Sequence, residues 1–431
     1  MFDNRAQLDK VSKAFLVAVH FRDVRESDIG LETSLLDELA ELVDTMGMEV
    51  VRSLMVETRE PQSKFLIGSG KAEEIVLFCK ENQVDVIVFD NELSPSQQRN
   101  WERLAEGTIS VIDREEVILE IFGRRAKTRE ARLQIGLAML EYSLPRLTRA
   151  WLHLGRQSGG IGGKGEGETQ LETDRRIVQK KIEKLKVELD DVRSQRSTQR
   201  KQRQRRPTPV AAIVGYTNAG KSSLLKKFTG ADVLVEDKLF ATLDTTTRKI
   251  LLPNGQELLL TDTVGFVRKL PHRLVESFKA TLEEAAEADY LIHVLDVANS
   301  RVDEFYQTTL AVLAELGADA KPTVTVFNKA DLLEDPFAAA AVRARFPDAL
   351  FVSTVTGEGL DELLHRVGDM MAADLVNIEV ELPHTRHDLA ASLHRIGQVI
   401  SEEFSGESIH VYARLPKRFV ARYEAYLKKL D

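Results

Sequence analysis

The sequence predicts a multidomain chain of the α/β class, on three observations. Its 431 residues are too many for one hydrophobic core, at roughly 100–200 residues per domain. Apolar runs of strand length alternate with helix-period segments up to residue 112 and again after Pro207. Between them lies a basic stretch whose apolar residues follow a heptad. The expected organisation is an N-terminal α/β domain (1–112), an antiparallel helical hairpin (113–206), a phosphate-loop α/β domain (207–373) and a small C-terminal α+β domain (374–431).

In the first domain AFLVAVH, MEVVRSLMV, VDVIVFD and TISVID read as strands, and LLDELAELVDTM and KAEEIVLFCKEN as helices. That rhythm belongs to a sheet with helical crossovers. Gly68, Gly70 and Lys71 lack the four-residue interior of a phosphate-binding loop and read as a strand-to-helix turn. Cys79 is the single cysteine; it excludes an intramolecular disulfide framework, fits a reducing cytosol, and sits in a helical pattern as a packed thiol. No apolar run approaches the ~20 residues of a membrane span, and the opening MFDNRAQLDK is polar, so a cytoplasmic protein without an integral membrane segment is expected.

Net charge is −9 for residues 1–112, +9 for 113–206, −8 for 207–372 and −1 for the remainder. One basic block between acidic ones points to a polyanion contact confined to that block. RRAKTREAR and RSQRSTQRKQRQRR carry most of the charge, and Arg193, Arg200, Lys201, Arg203 and Arg205 are the candidate phosphate contacts. A solvated helix face or linker is the other reading. Aromatics are sparse in both runs, which favours structured RNA over stacked single strands. Val178, Ile182, Leu185, Leu189 and Val192 form one apolar seam and Leu133, Leu137, Leu140 and Leu144 another; Lys180, Lys181, Lys184 and Lys186 fall outside. The intervening LGRQSGGIGGKGEGETQ is too glycine-rich to fold alone. With Arg156 and Lys164 it either orders on a partner or serves as a flexible linker.

After Pro207, the apolar strand VAAIVG leads into GYTNAGKS and then a helical SSLLKKFTG. Gly215, Tyr216, Thr217, Asn218, Ala219, Gly220, Lys221 and Ser222 thus have the order and context of a loop whose N–H groups cradle phosphate oxygens. Lys221 adds a cation over the β and γ phosphates, and Ser222 offers a hydroxyl to Mg²⁺. The later string NKAD decides the base. Asp331 can accept from guanine N1–H and the exocyclic amine, whereas adenine would leave its oxygens unpaired. Asn328 would tie this loop to the phosphate loop, and Lys329 and Ala330 complete it. Ser353, Thr354 and Val355, in STVTGEG, follow in the order that a guanine-nucleotide switch requires.

Asp262, Thr263, Val264 and Gly265 (DTVG) close another apolar strand, QELLLTD. Asp262 would hold Mg²⁺ through water and Gly265 would meet the γ phosphate. Phe240, Ala241, Thr242, Leu243 and Asp244 lie between the phosphate motifs; the threonine that joins Mg²⁺ is Thr242 or one of Thr245 to Thr247.

The strings GYTNAGKSSL, FATLDTTTR, LTDTVGFVRKLPHRLVESFKATLEE and NKADLL resemble the HflX family of translational GTPases, in the broader Obg-like group. FLIGSGKAEEI and SGGIGGKGEGETQLETDRR resemble it as well; the resemblance rests on no string after about residue 375. The resemblance implies a Ras-like GTPase domain, Thr242 as the switch threonine, and Lys221, Thr242 and Gly265 as the groups facing the transferring phosphoryl. It further implies GTP and GDP as ligands, Mg²⁺ as cofactor, a loop that probes rRNA of the large ribosomal subunit, and slow hydrolysis accelerated by the ribosome. Docking would then split or rescue stalled ribosomes.

Phe266 stands where Ras-type switches place a water-orienting glutamine, so a partner, another side chain, or negligible hydrolysis must account for that position. Two other functions therefore stay open: a nucleotide-gated ribosome anchor, and an ATP-dependent RNA-remodelling protein using the N-terminal domain. The tail reads as βαβα, with VNIEVEL, a helix from Asp388 to Phe404, SIHVYARL and a last helix to Asp431. His384, His387 and His394 read as surface or packed histidines, since no cysteine accompanies them. Off the ribosome a monomer is expected.

Overall fold

The structure, a computed structural model, describes residues 11–21, 29–147, 166–204, 208–230, 239–240, 243, 245–268, 284–333, 335–406 and 408–428. The chain forms two compact units: Met1–Val192 with Glu236–Asp244 and Lys269–Lys279, and Arg193–Val235 with Thr245–Arg268 and Ala280–Asp431. The architecture is multidomain α/β.

In the first unit β1 (Lys13–Phe21), β2 (Glu49–Thr58), β3 (Val86–Phe89) and β4 (Ser110–Asp113) form a parallel sheet in the order β2-β1-β3-β4. Ala14, Leu16 and Val17 of β1 are fully buried, as a near-continuous apolar strand covered on both faces requires. Helices α1 (Ile29–Thr45), α2 (Ser69–Glu81) and α3 (Pro95–Leu104) make the crossovers. The Gly-Ser-Gly-Lys string is the entry to α2: Gly68 is the N-cap and Lys71 pairs with Glu74 at 2.8 Å. Helix α3 starts with a capping box, in which Ser94 Oγ accepts the Gln97 N–H (3.2 Å) and Gln97 Oε1 accepts the Ser94 N–H (2.9 Å). Its Trp101 fills the core and donates Nε1–H to the Phe65 carbonyl at 3.0 Å. Cys79 is fully buried, and burial pushes its thiol up to about 12.

Strand β4 ends in a buried polar cluster. Arg114 opens α4 (Arg114–Arg125) and pairs with Asp90 at 2.7 Å and Glu38 at 2.9 Å, which neutralises charges removed from water. Asp113 caps the same helix, its Oδ1 accepting the Glu116 N–H at 3.0 Å. Tyr142 Oη, on α5 (Arg129–Ser143), lies 3.0 Å from Asp113 Oδ1 and 3.2 Å from Glu116 Oε2. A phenol has one hydrogen to give, so both contacts are hydrogen bonds only when a carboxyl is protonated. Burial first, then the Asp113 charge, pushes Glu116 up to about 7, and burial also raises Asp113.

Helix α5 differs from its expected seam. Ala131, Ile135, Ala138 and Tyr142 are its buried stripe, while Leu133, Leu137, Leu140 and Leu144 are half-buried, because one side of α5 packs on α4. Helix α6 (Glu166–Gln204) starts inside the segment expected to be loop. Along it Ile182 and Leu189 are buried, Val178, Leu185 and Val192 half-buried, and Lys180, Lys181, Lys184 and Lys186 exposed. Lys186 pairs with Glu141 of α5 at 2.8 Å.

The second unit holds β5 (Val210–Gly215), α7 (Lys221–Thr229), β6 (Thr246–Leu251), β7 (Glu257–Asp262), β8 (Tyr290–Asp296), α8 (Val302–Glu315), β9 (Thr323–Asn328), α9 (Pro336–Arg345), β10 (Leu350–Phe351) and α10 (Leu360–Ala373). Sheet order is β10-β9-β8-β5-β7-β6, parallel except for β6 against β7. This is a Ras-like GTPase fold. Its loops at the carboxyl ends of β5, β7 and β9 carry the phosphate, DTVG and NKAD strings, the edge at which parallel α/β sheets bind ligands.

The tail forms β11 (Leu375–Pro383), α11 (His387–Ile396), β12 (Gln398–Ser405), β13 (Ser408–Pro416) and the short α12 (Lys417–Val420). Its antiparallel sheet runs β11-β13-β12 over a core of Val380, Leu382, Leu393, Ile409, Ala413 and Tyr423. The helix expected from Asp388 to Phe404 stops before Gly397, and the residues after it pair as an edge strand with β13. The expected last helix is one α turn followed by a 3₁₀ segment, Ala421–Tyr426.

Candidate nucleotide site

The loop from β5 to α7 turns on Gly220, at φ +90°, where a Cβ would stand 2.1 Å from Asn328 Nδ2. Glycine is therefore what lets the NKAD loop reach the phosphate loop. Lys221 is buried and donates Nζ–H to the Tyr216 carbonyl at 2.6 Å. Burial lowers its pKa to about 8, against an upward pull from Asp262. Ser222 donates its hydroxyl to Asp262 Oδ2 at 2.6 Å. A hydroxyl and a carboxylate converging beside a buried lysine form a hard-oxygen donor set that fits Mg²⁺.

On the base side, Asn328 donates Nδ2–H to the Ala219 carbonyl (3.0 Å) and accepts the Thr354 N–H at Oδ1 (3.2 Å). Three loops thus meet at one amide. The Ser353 hydroxyl donates to Asp331 Oδ1 and accepts the N–H groups of Val355 (3.2 Å) and Thr356 (3.1 Å). Lys329, at φ +64°, pairs with Asp296 at 2.7 Å, which holds its side chain toward the end of β8. Ala330 N–H donates to the Val352 carbonyl at 3.1 Å.

The DTVG segment lies directly on the phosphate loop. Thr263 donates to the Ile213 carbonyl at 2.6 Å, and a Cβ on Gly265 would stand 2.8 Å from both Lys221 Nζ and Thr217 Cα. Phe266 N–H donates to the Gly215 carbonyl (3.1 Å), and its carbonyl accepts the Thr217 N–H (2.8 Å). The Phe266 side chain is 1% exposed, so it cannot face an attacking water.

The family described as 50S ribosome-binding GTPase matches residues 210–329, GTP-binding GTPase N-terminal matches 33–123, and GTP-binding GTPase Middle Region matches 125–203. The chain is 48% identical over 439 residues to a GTPase HflX of Akkermansia muciniphila, covering 99% of each. It is 40% identical over 420 residues to the GTPase HflX of Escherichia coli, covering 96% of each. The chain belongs to the HflX family.

As an HflX-family GTPase it binds and hydrolyses GTP. A solved structure described as the SsGBP and GDP complex is 24% identical, with a TM-score of 0.48, and covers 84% of this chain and 98% of that one.

Of the other candidate residues of this HflX-family chain, some lie away from those loops, some within them and some beyond the described residues. Phe240 packs edge to face on Phe122 in the first unit, centroids 4.5 Å apart, and Leu243 is buried. Ala241, Thr242 and Asp244 lie outside the described residues. Among the alternative threonines, Thr246 and Thr247 belong to β6, and Thr247 Oγ1 lies 2.9 Å from Thr261 Oγ1 across the sheet. Arg193, Arg200, Lys201 and Arg203 fall on α6, whereas Arg156, Lys164 and Arg205 lie outside the described residues. Val264 is buried, and Val355 is exposed.

Sequence reasoning placed Tyr216 in the loop but missed its burial, and it missed His293 altogether. Tyr216 buries its ring against Phe305 of α8, centroids 3.8 Å apart and planes within 5°. His293 of β8 is fully buried and stacked on Tyr306, and neither ring nitrogen has a hydrogen-bond partner among the described residues. Burial, then the Lys221 charge, lowers His293 to about 3, so the ring is neutral. Both depend on aromatic partners in α8, remote in sequence, which no local pattern announces.

Proposed function

We propose that the chain holds Mg²⁺·GTP in these loops, docks on the large ribosomal subunit through α5, α6 and the glycine-rich segment between them, and hydrolyses GTP when docked to split or rescue stalled ribosomes. The observation that carries the nucleotide reading is the Asn328 amide joining the phosphate, NKAD and STVT loops. Support for the RNA reading comes from the basic block and the exposed lysines of α6.

In this reading Asp331, oriented by Ser353, accepts from the guanine N1–H and amine. Ser222, Thr242 and, through water, Asp262 hold Mg²⁺, which supplies charge neutralisation at the phosphates. Lys221 and the loop N–H groups face the charge that develops on the transferring phosphoryl. Gly265 and Thr242 sense the γ phosphate, and its loss releases them. Phe266 has no group to orient water, so the docked ribosome completes the site. The four domains proposed are 1–112, 113–206, 207–373 and 374–431.

Single-turnover GTP hydrolysis at fixed salt, with and without purified large subunits, tests this. Acceleration by subunits, absent in Lys221→Ala, is expected; equal rates with and without them remove the ribosomal reading. Neutralising Arg200, Lys201, Arg203 and Arg205 should weaken subunit binding and flatten its salt dependence, because fewer counterions are released.

A further inference from the structure

We propose that Tyr216 is a positioning residue for GTP hydrolysis: its phenol holds the segment after DTVG in register with the phosphate loop. Tyr216 stands second in that loop, yet its ring is 4% exposed. Its face is fixed by Phe305, whose ring also lies 5.2 Å from the Arg301 guanidinium. So anchored, Tyr216 Oη accepts the Arg268 N–H at 2.7 Å. The Arg268 side chain is buried and pairs with Glu304 of α8 at 2.6 Å.

The segment from Gly265 to Arg268 is thereby pinned at two points. Phe266 exchanges two backbone hydrogen bonds with Gly215 and Thr217, and two residues on, Arg268 is held by the Tyr216 phenol. The two attachments are adjacent on the phosphate loop, because Tyr216 sits between Gly215 and Thr217. Its carbonyl meanwhile accepts from Lys221. Ground-state nucleotide binding does not need the phenol oxygen, which is directed into the core. What the phenol controls is where Gly265 and Phe266 stand relative to Lys221, and so how well the site is organised for the phosphoryl in flight. With no glutamine at position 266, that backbone placement carries more of the work.

The inference rests on the reading of this loop as the GTP site, and the test separates the two. Tyr216→Phe removes the oxygen and keeps the stacked ring. Under saturating Mg²⁺·GTP its single-turnover rate should fall about 3- to 10-fold, the size of one lost hydrogen bond expressed in the barrier. GDP affinity should stay at the parental value, while the melting temperature falls by the few degrees that one buried N–H left unpaired costs. Phe305→Leu, which frees the ring, should lower the rate in the same way, and the double variant should be no slower than the slower single, as for two parts of one lock. An unchanged or raised rate in Tyr216→Phe, or a fall matched by an equal loss of GDP affinity, overturns the proposal. Retention of GDP affinity by Lys221→Ala would instead overturn the reading of the loop itself.

Discussion

Asn328 and Ala219 are joined by a 3.0 Å hydrogen bond from side-chain amide to backbone carbonyl, which ties the NKAD loop to the loop between β5 and α7. Asn328→Ala leaves both Ala219 O and the Thr354 N–H without that partner. At roughly 1–3 kcal/mol for buried groups left unpaired, GDP affinity should fall about 10-fold or more, measurable by calorimetry. Parental affinity in this variant would mean that the loops are aligned by something else.

Asp331→Asn tests the base. An amide in place of the carboxylate reverses one donor–acceptor contact, so GTP affinity should fall by on the order of 100-fold while xanthosine triphosphate gains. Competition of the two nucleotides for the same protein reads the preference directly. An unaltered preference for GTP removes Asp331 from guanine recognition.

Lys221 gives two pH dependences of opposite sign. With its folded pKa near 8 and an ordinary value of 10.5, the folded protein carries fewer protons than the unfolded one between these pH values. Stability without nucleotide should therefore rise with pH across that window. Affinity for GDP should fall over the same range, because the cation that meets phosphate is lost above about 8. Melting curves and binding isotherms from pH 7 to 10 check both; Lys221→Met should abolish the two trends together.

Glu116 behaves in the other direction. Its folded pKa of about 7 lies above the ordinary 4.5, so the folded state holds the extra proton between them and stability falls as pH rises through the window. Glu116→Gln keeps a polar side chain beside Tyr142 and carries no charge. It should flatten the melting-temperature profile between pH 5 and 8 and raise stability at the alkaline end. A profile still sloping as in the parent would assign the slope to Asp113.

How much of this was legible depended on the range over which each feature is encoded. The phosphate and NKAD loops could be placed because each follows its own apolar strand, VAAIVG or TVTVF, within a few residues. The buried stripe of α5 could not, since whether Leu137 or Ile135 faces inward is decided by α4. Strand β12 was missed although Gly397 gives a stop signal. QVISEEFS is an edge strand with Ile400 and Phe404 exposed, so burial leaves no clean alternation in it. Tyr216 was legible as a loop residue and illegible as a core residue, because its partners Phe305 and Arg268 come from other elements.

Cys79 has a practical consequence. The chain has no other cysteine, and this one is fully buried with its thiol pushed up to about 12, so it stays protonated and out of reach of maleimide dyes at neutral pH. A cysteine introduced at an exposed apolar position of α6, such as Ile177 or Val187, would react alone in the otherwise native sequence. Fluorescence from a dye there would test the proposed subunit docking in real time, and the native thiol would need no removal.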